Sequence, residues 1–299
     1  MNCEKDITRS EPGAFLFLID QSGSMAKEFG KRDENGRAQS KAEAVADAVN
    51  RALDEIILSC LKQDGLRDYF EIGMIGYGQH DVADFCWEGD LAGERKMVPV
   101  SKVRPAAQIK PVVMEKVTFG QLEKDEVKLN VWLKPTAVGA TPMKSAFGLA
   151  RSVLESWIGA HPNSNPPIVI NITDGEATDI NSNDELIAAA TSLTSLKNNE
   201  GCELLLINCH ISGLSVAPVL FPSRSESLPP DPYAQALFQM SSTLPPKMAR
   251  FAAEMARSTG SDPVRGMVFN GNGNMLIKCL QVGTVPTRNI GGAPAASKQ

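Results

Sequence analysis

The chain has 299 residues, of which 42% are hydrophobic and 22% are charged, as in an ordinary globular protein. Its 30 basic and 35 acidic residues give a formal net charge of −5, without a block of lysine or arginine. This charge disfavours nucleic acid and anionic membrane surfaces as partners, and it weakly favours a cation or a basic protein surface.

The N-terminus and the cysteines predict a cytoplasmic location. Residues 1–13, MNCEKDITRSEPG, are charged and lack the apolar stretch of a secretory signal. No apolar run approaches the roughly 18 residues that a membrane helix requires. The six cysteines form no C-x-x-C pair, which predicts reduced and mostly buried thiols rather than disulfides or structural zinc. They lie at positions 3, 60, 86, 202, 209 and 279.

The first predicted element is a buried strand that ends in polar residues. Residues 15–19, FLFLI, form a continuous apolar run, as in a strand covered on both faces. Asp20, Ser22 and Ser24 follow at alternate positions, with Gly23 allowing a sharp turn. Three oxygen-bearing side chains in five residues are more than a turn needs.

A helix and a second strand come next. After a polar loop over 30–39, Ser40 is a predicted N-cap with Glu43 three positions on. The apolar residues that follow recur every three or four positions, which predicts an amphipathic helix. These residues are Val45, Val49, Leu53, Ile56, Ile57 and Cys60. A strand over 68–78 then completes a right-handed crossover unit, so the sheet is expected to be parallel.

The middle of the chain is less regular. Residues 79–134 contain short strand-like pieces separated by Gly, Pro and charges, and they are interpreted as an edge hairpin with an elaborated insertion. A helix follows, with Thr141 as the predicted N-cap and Pro142 at the first helical position. A strand over 168–173 then ends at Asp174.

The remaining pattern completes a single α/β domain. Its elements are a helix over 183–199, a strand over 202–213, a Pro- and Ser-rich loop over 216–231, helices over 232–242 and 246–258, a strand over 266–271 and a helix over 274–281. The predicted fold is a doubly wound, mostly parallel sheet with helices on both faces. The domain spans 12–282, between an N-terminal segment over 1–11 and a disordered tail over 283–299.

The polar residues after the strands are expected to converge. In a doubly wound sheet, the carboxyl ends of the strands meet at one edge, where ligands bind. Asp20, Ser22, Ser24, Thr141 and Asp174 all fall at this edge. Hydroxyl and carboxylate oxygens suit Mg²⁺ or Mn²⁺, and Ca²⁺ less well, while the lack of His and Cys disfavours zinc or copper.

These residues resemble the motif of von Willebrand factor A (vWA) domains with an intact metal-ion-dependent adhesion site (MIDAS). The motif consists of D-x-S-x-S over 20–24, the Thr of GATPM and the Asp of ITDGE, and the resemblance covers roughly 12–282. It implies that Ser22 and Ser24 bind the metal directly and that Thr141 binds it directly or through water. Asp20 and Asp174 would act mostly through water or hydrogen bonds.

Without a secretion signal, the chain is most similar to the intracellular bacterial members, such as tellurite-resistance-associated vWA proteins and partners of MoxR-type ATPases. The resemblance implies a non-enzymatic assembly or scaffolding subunit, in which the bound cation captures an Asp or Glu of a partner protein. An AAA+ ATPase, a kinase or a phosphatase of the same complex is the expected partner. The residues expected to contact it are Gln21, Met25, His80, Gly139, Glu176 and His210.

Two alternatives remain open. One is a Mg²⁺-dependent phosphoryl-transfer or hydrolytic enzyme with Asp20 as its nucleophile. That chemistry usually needs a second carboxylate as in D-x-D, whereas position 22 is Ser. It also needs a lysine for the transferred phosphate, and the only lysines expected near this edge of the sheet are Lys27 and Lys144. The sequence also lacks a phosphate-binding loop and a nucleophile elbow. The other alternative is a structural subunit whose metal only ties two loops together.

Overall fold

A central β-sheet organises the chain. The computed structural model describes residues 3–32, 38–118, 121–213, 217–257 and 262–289. Its strands are β1 (Gly13–Asp20), β2 (Glu28–Arg32), β3 (Ala38–Ser40), β4 (Leu61–Lys62), β5 (Gly65–Leu66), β6 (Phe70–Tyr77), β7 (Ala83–Phe85), β8 (Val98–Pro99), β9 (Gln108–Thr118), β10 (Gln121–Val131), β11 (Ile168–Thr173), β12 (Leu205–Ile211), β13 (Val219–Leu220) and β14 (Met267–Gly271). Its helices are α1 (Lys41–Ser59), α2 (Val100–Val103), α3 (Met143–Ala160), α4 (Asn183–Thr194), α5 (Pro232–Met240), α6 (Pro246–Ala256) and α7 (Gly273–Gly283).

The sheet is mostly parallel, as predicted. Its order is β13-β14-β12-β11-β1-β6-β7, and β8 also pairs with β6. The five central strands run parallel to one another, whereas β7, β8 and β13 pair antiparallel at the edges. The architecture is therefore α/β and is compatible with a vWA-like fold.

The apolar run of β1 serves two cores, one on each face of the sheet. Phe15 and Phe17 point into the core under α1, α6 and α7, while Leu16 and Leu18 point into the core under α3, α4 and α5. All eight residues of β1 are buried. Strict alternation of polar and apolar residues is absent because neither face meets water.

The start of α1 has the predicted capping box. The Ser40 hydroxyl accepts from the backbone N–H of Glu43, and the Glu43 carboxylate accepts from the backbone N–H of Ser40. Two of the free backbone donors at this end of the helix are thereby satisfied. This cap fixes the position of Lys41, the first residue of the helix, at the carboxyl end of the sheet.

The insertion after β6 adds edge strands and a long hairpin. β7 and β8 pair with β6, and β9 pairs with β10. The base of the hairpin is tied to α1 by Asn50, whose side chain accepts from the backbone N–H of Trp132 and donates to the carbonyl of Leu133. The indole of Trp132 is fully buried and donates to the carbonyl of Val103.

The predicted Pro- and Ser-rich loop and the predicted disordered tail both contain regular structure in their described residues. The loop predicted over 216–231 holds β13 and a 3-10 turn at Ser225–Ser227, while residue 216 lies outside the described residues. The tail predicted from 283 begins with a 3-10 turn at Val285–Asn289, and residues 290–299 lie outside the described part. Within the described ranges, no helix combines the length and the apolar character needed to cross a membrane.

Candidate functional site

The polar residues meet at a crevice between β1 and β11, which lie side by side in the sheet. The helix after β1 packs on one face, and the helix after β11 packs on the other face. This divergence opens a space at the carboxyl ends of the two strands, where doubly wound sheets bind ligands. Asp20 ends β1, and Asp174 follows β11 directly. The residues around this crevice are called the rim below.

Asp20 is an internal hydrogen-bond acceptor of the rim. Its side chain accepts from the backbone N–H of Ser22 at 2.9 Å and from the hydroxyl of Thr173 at 2.8 Å. The residue is only 1% exposed, and this burial raises the pKa of its carboxyl group, although the hydrogen bonds from Ser22 oppose the shift. Asp20 therefore joins the loop after β1 to the end of β11.

Ser24, Asp174 and Lys41 form the other half of the rim. The hydroxyls of Ser22 and Ser24 lie 3.0 Å apart, and Ser24 donates to Asp174 Oδ1 at 2.5 Å. The ammonium group of Lys41 donates to Asp174 Oδ2 at 2.7 Å. The side chain of Asp174 is 0% exposed and that of Lys41 is 8% exposed, so this ion pair is buried.

The loop that carries Thr141 is held against the first rim loop by backbone contacts. Val138 donates to the carbonyl of Gln21 at 2.7 Å, and Gly23 donates to the carbonyl of Gly139 at 2.9 Å. Thr141 is buried, and its backbone N–H donates to the hydroxyl of Thr178 at 2.9 Å. The structure thus brings together the three predicted metal-binding segments.

Thr141 is not the cap of α3, because the helix begins at Met143 and Pro142 occupies the N-cap position. The cap is supplied instead by Asp179 from the loop after β11. Its carboxylate accepts from the backbone N–H groups of Lys144 and Ser145 at 3.1 and 2.8 Å. A carboxylate at this position is also stabilised by the partial positive charge at the N-terminus of the helix.

Gly139 is required by the close approach of two rim loops. Its φ is +83°, and an added Cβ atom would lie 2.1 Å from the carbonyl oxygen of Gly78. Any side chain would therefore push the two loops apart as well as strain the backbone.

We expect Gly139→Ala to lower the free energy of unfolding by about 2 kcal/mol. Gly148→Ala in α3 is the matched control, because an added Cβ there meets nothing within 4 Å. That control is expected to be neutral or stabilising by up to about 1 kcal/mol, since alanine is the better helix former. Urea unfolding of both variants measures the difference, and equal stability of the two would contradict the interlocked rim.

The six residues predicted to contact a partner separate into two groups. Glu176 and His80 are exposed at the rim, and Gly139 is exposed between the loops. Gln21 and Met25 are 5% and 0% exposed, respectively, and Met25 packs in the core under α1. These two side chains face inward and offer no surface to a partner.

His210 is the third inward-facing residue of the predicted set. It is 8% exposed, stacks on Phe269 with ring centroids 4.6 Å apart and meets the ring of Tyr233 edge-on. Its Nδ1 accepts from the backbone N–H of Asn270 at 3.2 Å. Burial, assisted by the nearby Lys41 charge, lowers the pKa of His210 to about 4, so the ring is neutral at pH 7.

The rim offers suitable oxygens for a hard cation, but Asp174 is already paired. Ser22, Ser24 and Asp174 supply hydroxyl and carboxylate oxygens of the kind that Mg²⁺ accepts. Both oxygens of Asp174 are engaged by hydrogen bonds from Ser24 and Lys41. Among the described residues, no group of three or more His, Cys, Asp or Glu side chains is placed to hold a metal ion. The donors fit the ion chemically only where Asp174 is released from its ammonium partner.

Sequence reasoning missed two features of the structure. Lys41 reaches the rim although it lies 17 residues after Ser24. The available signal was its place directly after the N-cap of the first crossover helix, which starts at the carboxyl edge of the sheet. The second feature is a disulfide between Cys3 and Cys202, whose partners are separated by 199 positions. No spacing rule identifies such a pair.

No protein-family model matches the sequence, and no curated protein matches it either. Solved structures of similar shape include the PilB minor pilin from Streptococcus sanguinis, with 11% identity and a TM-score of 0.44 over 93% of this chain. The match spans 62% of that pilin. The vWF domain of the type V pili tip protein Mfa5 from Porphyromonas gingivalis has 12% identity and a TM-score of 0.39, over 96% of this chain and 98% of that one. Similarities of this size do not establish a function.

These findings correct several predictions from the sequence. The disulfide contradicts the expected cytoplasmic location and the expected reduced state of all six cysteines, because structural disulfides persist in oxidising compartments. The absence of a metal cluster in the described residues and the pairing of Asp174 with Lys41 contradict the ready-made MIDAS. The predicted intracellular MIDAS scaffold is therefore wrong.

Proposed function

We propose that this chain is a non-enzymatic binding domain of an exported protein, which acts at the cell surface and presents its rim to a protein partner. A pilus-related assembly, the class named by the similar structures, is the specific setting we propose. The observation that carries the proposal is the disulfide between Cys3 and Cys202. It links the N-terminal segment covalently to the loop before β12. Structural disulfides of this kind are typical of proteins that function outside the reducing cytoplasm.

The geometry of Asp20 supports binding rather than catalysis. A nucleophilic carboxylate must reach its substrate, whereas Asp20 is 1% exposed and its oxygens accept from Ser22 and Thr173. Asp174 is equally occupied. Glu176 and His80 are exposed, and they are the side chains that would contact the partner under this proposal.

A divalent cation, Mg²⁺ or Mn²⁺ before Ca²⁺, belongs to the proposal as an exchangeable cofactor. The hydroxyls of Ser22 and Ser24 and the carboxylate of Asp174 would hold it, with Thr141 and Asp20 as further polar groups of the rim. When bound, the ion would supply a concentrated positive charge at the crevice.

The state of the cysteines in living cells tests the proposed location. Cells that make the protein naturally are quenched in trichloroacetic acid, and the precipitated protein is dissolved in denaturant at neutral pH with N-ethylmaleimide. Peptides alkylated before and after reduction are then identified by mass spectrometry. Cys3 and Cys202 are expected to be alkylated only after reduction. Cys60 and Cys86, which the structure describes as free thiols, are the internal controls and are expected to react before reduction once the protein is denatured.

Alkylation of Cys3 and Cys202 before reduction would contradict the exported location. A second sample, labelled on intact cells with a membrane-impermeant amine reagent, separates export from oxidation during lysis. Export predicts labelling of exposed lysines such as Lys134 before the cells are broken.

A further inference from the structure

The rim already contains a buried positive charge, the ammonium group of Lys41. Lys41 Nζ lies 2.7 Å from Asp174 Oδ2, and both side chains are almost completely removed from water. Charges of this kind are retained in a protein interior only when they are paired. The ammonium group therefore compensates the Asp174 carboxylate at the place where the chemistry of the donors favours a metal ion.

The ammonium group of Lys41 can move away from Asp174 without unfolding α1. The backbone of α1 is fixed by the capping box of Ser40 and Glu43, whereas the lysine charge sits on a flexible stem of four carbons. The stem can turn so that the ammonium group reaches water while the helix stays in place. The pair is therefore exchangeable by a side-chain movement alone.

We propose that Lys41 is a built-in counter-ion of Asp174 that any divalent cation must displace, so that this lysine sets the affinity of the rim for Mg²⁺ or Mn²⁺. This inference rests on the rim site of the proposed function. An ammonium group and a divalent cation that contact the same carboxylate would repel each other strongly, because the pair is buried and water screens the charges only weakly. Lys41 then pairs with Asp174 at low concentrations of divalent cation, and the cation takes its place at high concentrations.

The first test compares the affinity of the purified wild-type chain for Mn²⁺ with that of Lys41→Met. Electron paramagnetic resonance of the free ion measures the binding. Removing the competing charge is expected to tighten Mn²⁺ binding roughly tenfold or more. Lys144→Met is the matched control, because Lys144 also lies at the start of a crossover helix but pairs with Glu185. That control is expected to leave the affinity unchanged.

Stability provides a second readout of the same variant. Without metal, Lys41→Met leaves the buried Asp174 carboxylate without a counter-charge, so the melting temperature of the variant is expected to fall below that of the wild type. Saturating MgCl₂ is expected to raise the melting temperature of this variant more than that of the wild type, because the ion binds only the folded chain.

Labelling of the wild-type chain keeps the inference testable where Lys41→Met does not fold. An amine-reactive succinimidyl ester is expected to modify Lys41 severalfold more in millimolar MgCl₂ than in EDTA, with Lys144 unchanged. A folded Lys41→Met variant with affinity equal to or weaker than that of the wild type would overturn the inference, as would unchanged labelling where no variant folds. These experiments use isolated protein, so their failure is distinct from a failure of the proposed export.

Discussion

Replacing Cys3 and Cys202 together by alanine is expected to lower the free energy of unfolding by about 4 kcal/mol. The bond links residues separated by 199 positions, so it removes much of the conformational freedom of the unfolded chain. It also holds the N-terminal segment, in which the backbone of Lys5 exchanges hydrogen bonds with the side chain of Asn165 at 2.9 and 2.8 Å. Urea unfolding monitored by circular dichroism measures the loss.

The same experiment with a reductant provides the control. A phosphine reductant is expected to shift the unfolding midpoint of the wild type towards that of the double variant, and to leave the variant unchanged. The free cysteines described in the structure are buried or half-buried and make no disulfide, so reduction has no other bond to break among the described residues. Coincident wild-type curves with and without reductant would contradict the role assigned to the disulfide.

Asn171→Ala is expected to cost about 3 kcal/mol, because Asn171 is the centre of a buried polar chain across the sheet. Its Oδ1 accepts from the hydroxyl of Tyr77 at 2.8 Å, and its Nδ2 donates to Asn208 Oδ1 at 3.0 Å. Asn208 continues the chain to Ser241 at 3.0 Å. Tyr77, Asn171 and Asn208 are 0% exposed, so removing the central amide leaves its buried partners without a hydrogen bond from it.

A double-mutant cycle tests whether these residues act as a unit. The cost of Asn171→Ala combined with Asn208→Ala is expected to be smaller than the sum of the two single costs by about 1 kcal/mol, because the second change removes a group that is already unpaired. Urea unfolding of the three variants measures the cycle. Strictly additive costs would show that the buried chain is not a coupled network.

The parts of the fold that follow local patterns were predictable. The apolar run over 15–19 predicts a doubly covered strand, and Ser40 with Glu43 predicts the start of α1, since both depend on neighbours in sequence. The convergence of Asp20 and Asp174 also follows, because parallel strands bring their carboxyl ends to one edge.

The remaining features depend on long-range contacts that a sequence pattern does not contain. The inward orientation of His210 results from the packing of Tyr233 and Phe269 around it. Lys41 and Asp174 are 133 positions apart in the sequence, and they pair because the lysine side chain reaches from the start of α1 to the end of β11. The disulfide required knowledge of where the N-terminal segment lies, and without it the expected compartment was wrong.

The central claim is that the rim at the carboxyl ends of β1 and β11 is the surface that meets a partner outside the cell. A photo-crosslinking amino acid placed at Glu176, which is exposed on the rim, tests it directly in intact cells. Asn163, which is exposed before the amino end of β11, is the control position. The proposal predicts a discrete crosslinked adduct from position 176 and none from 163. An adduct from 163 alone, or from neither position, would contradict it.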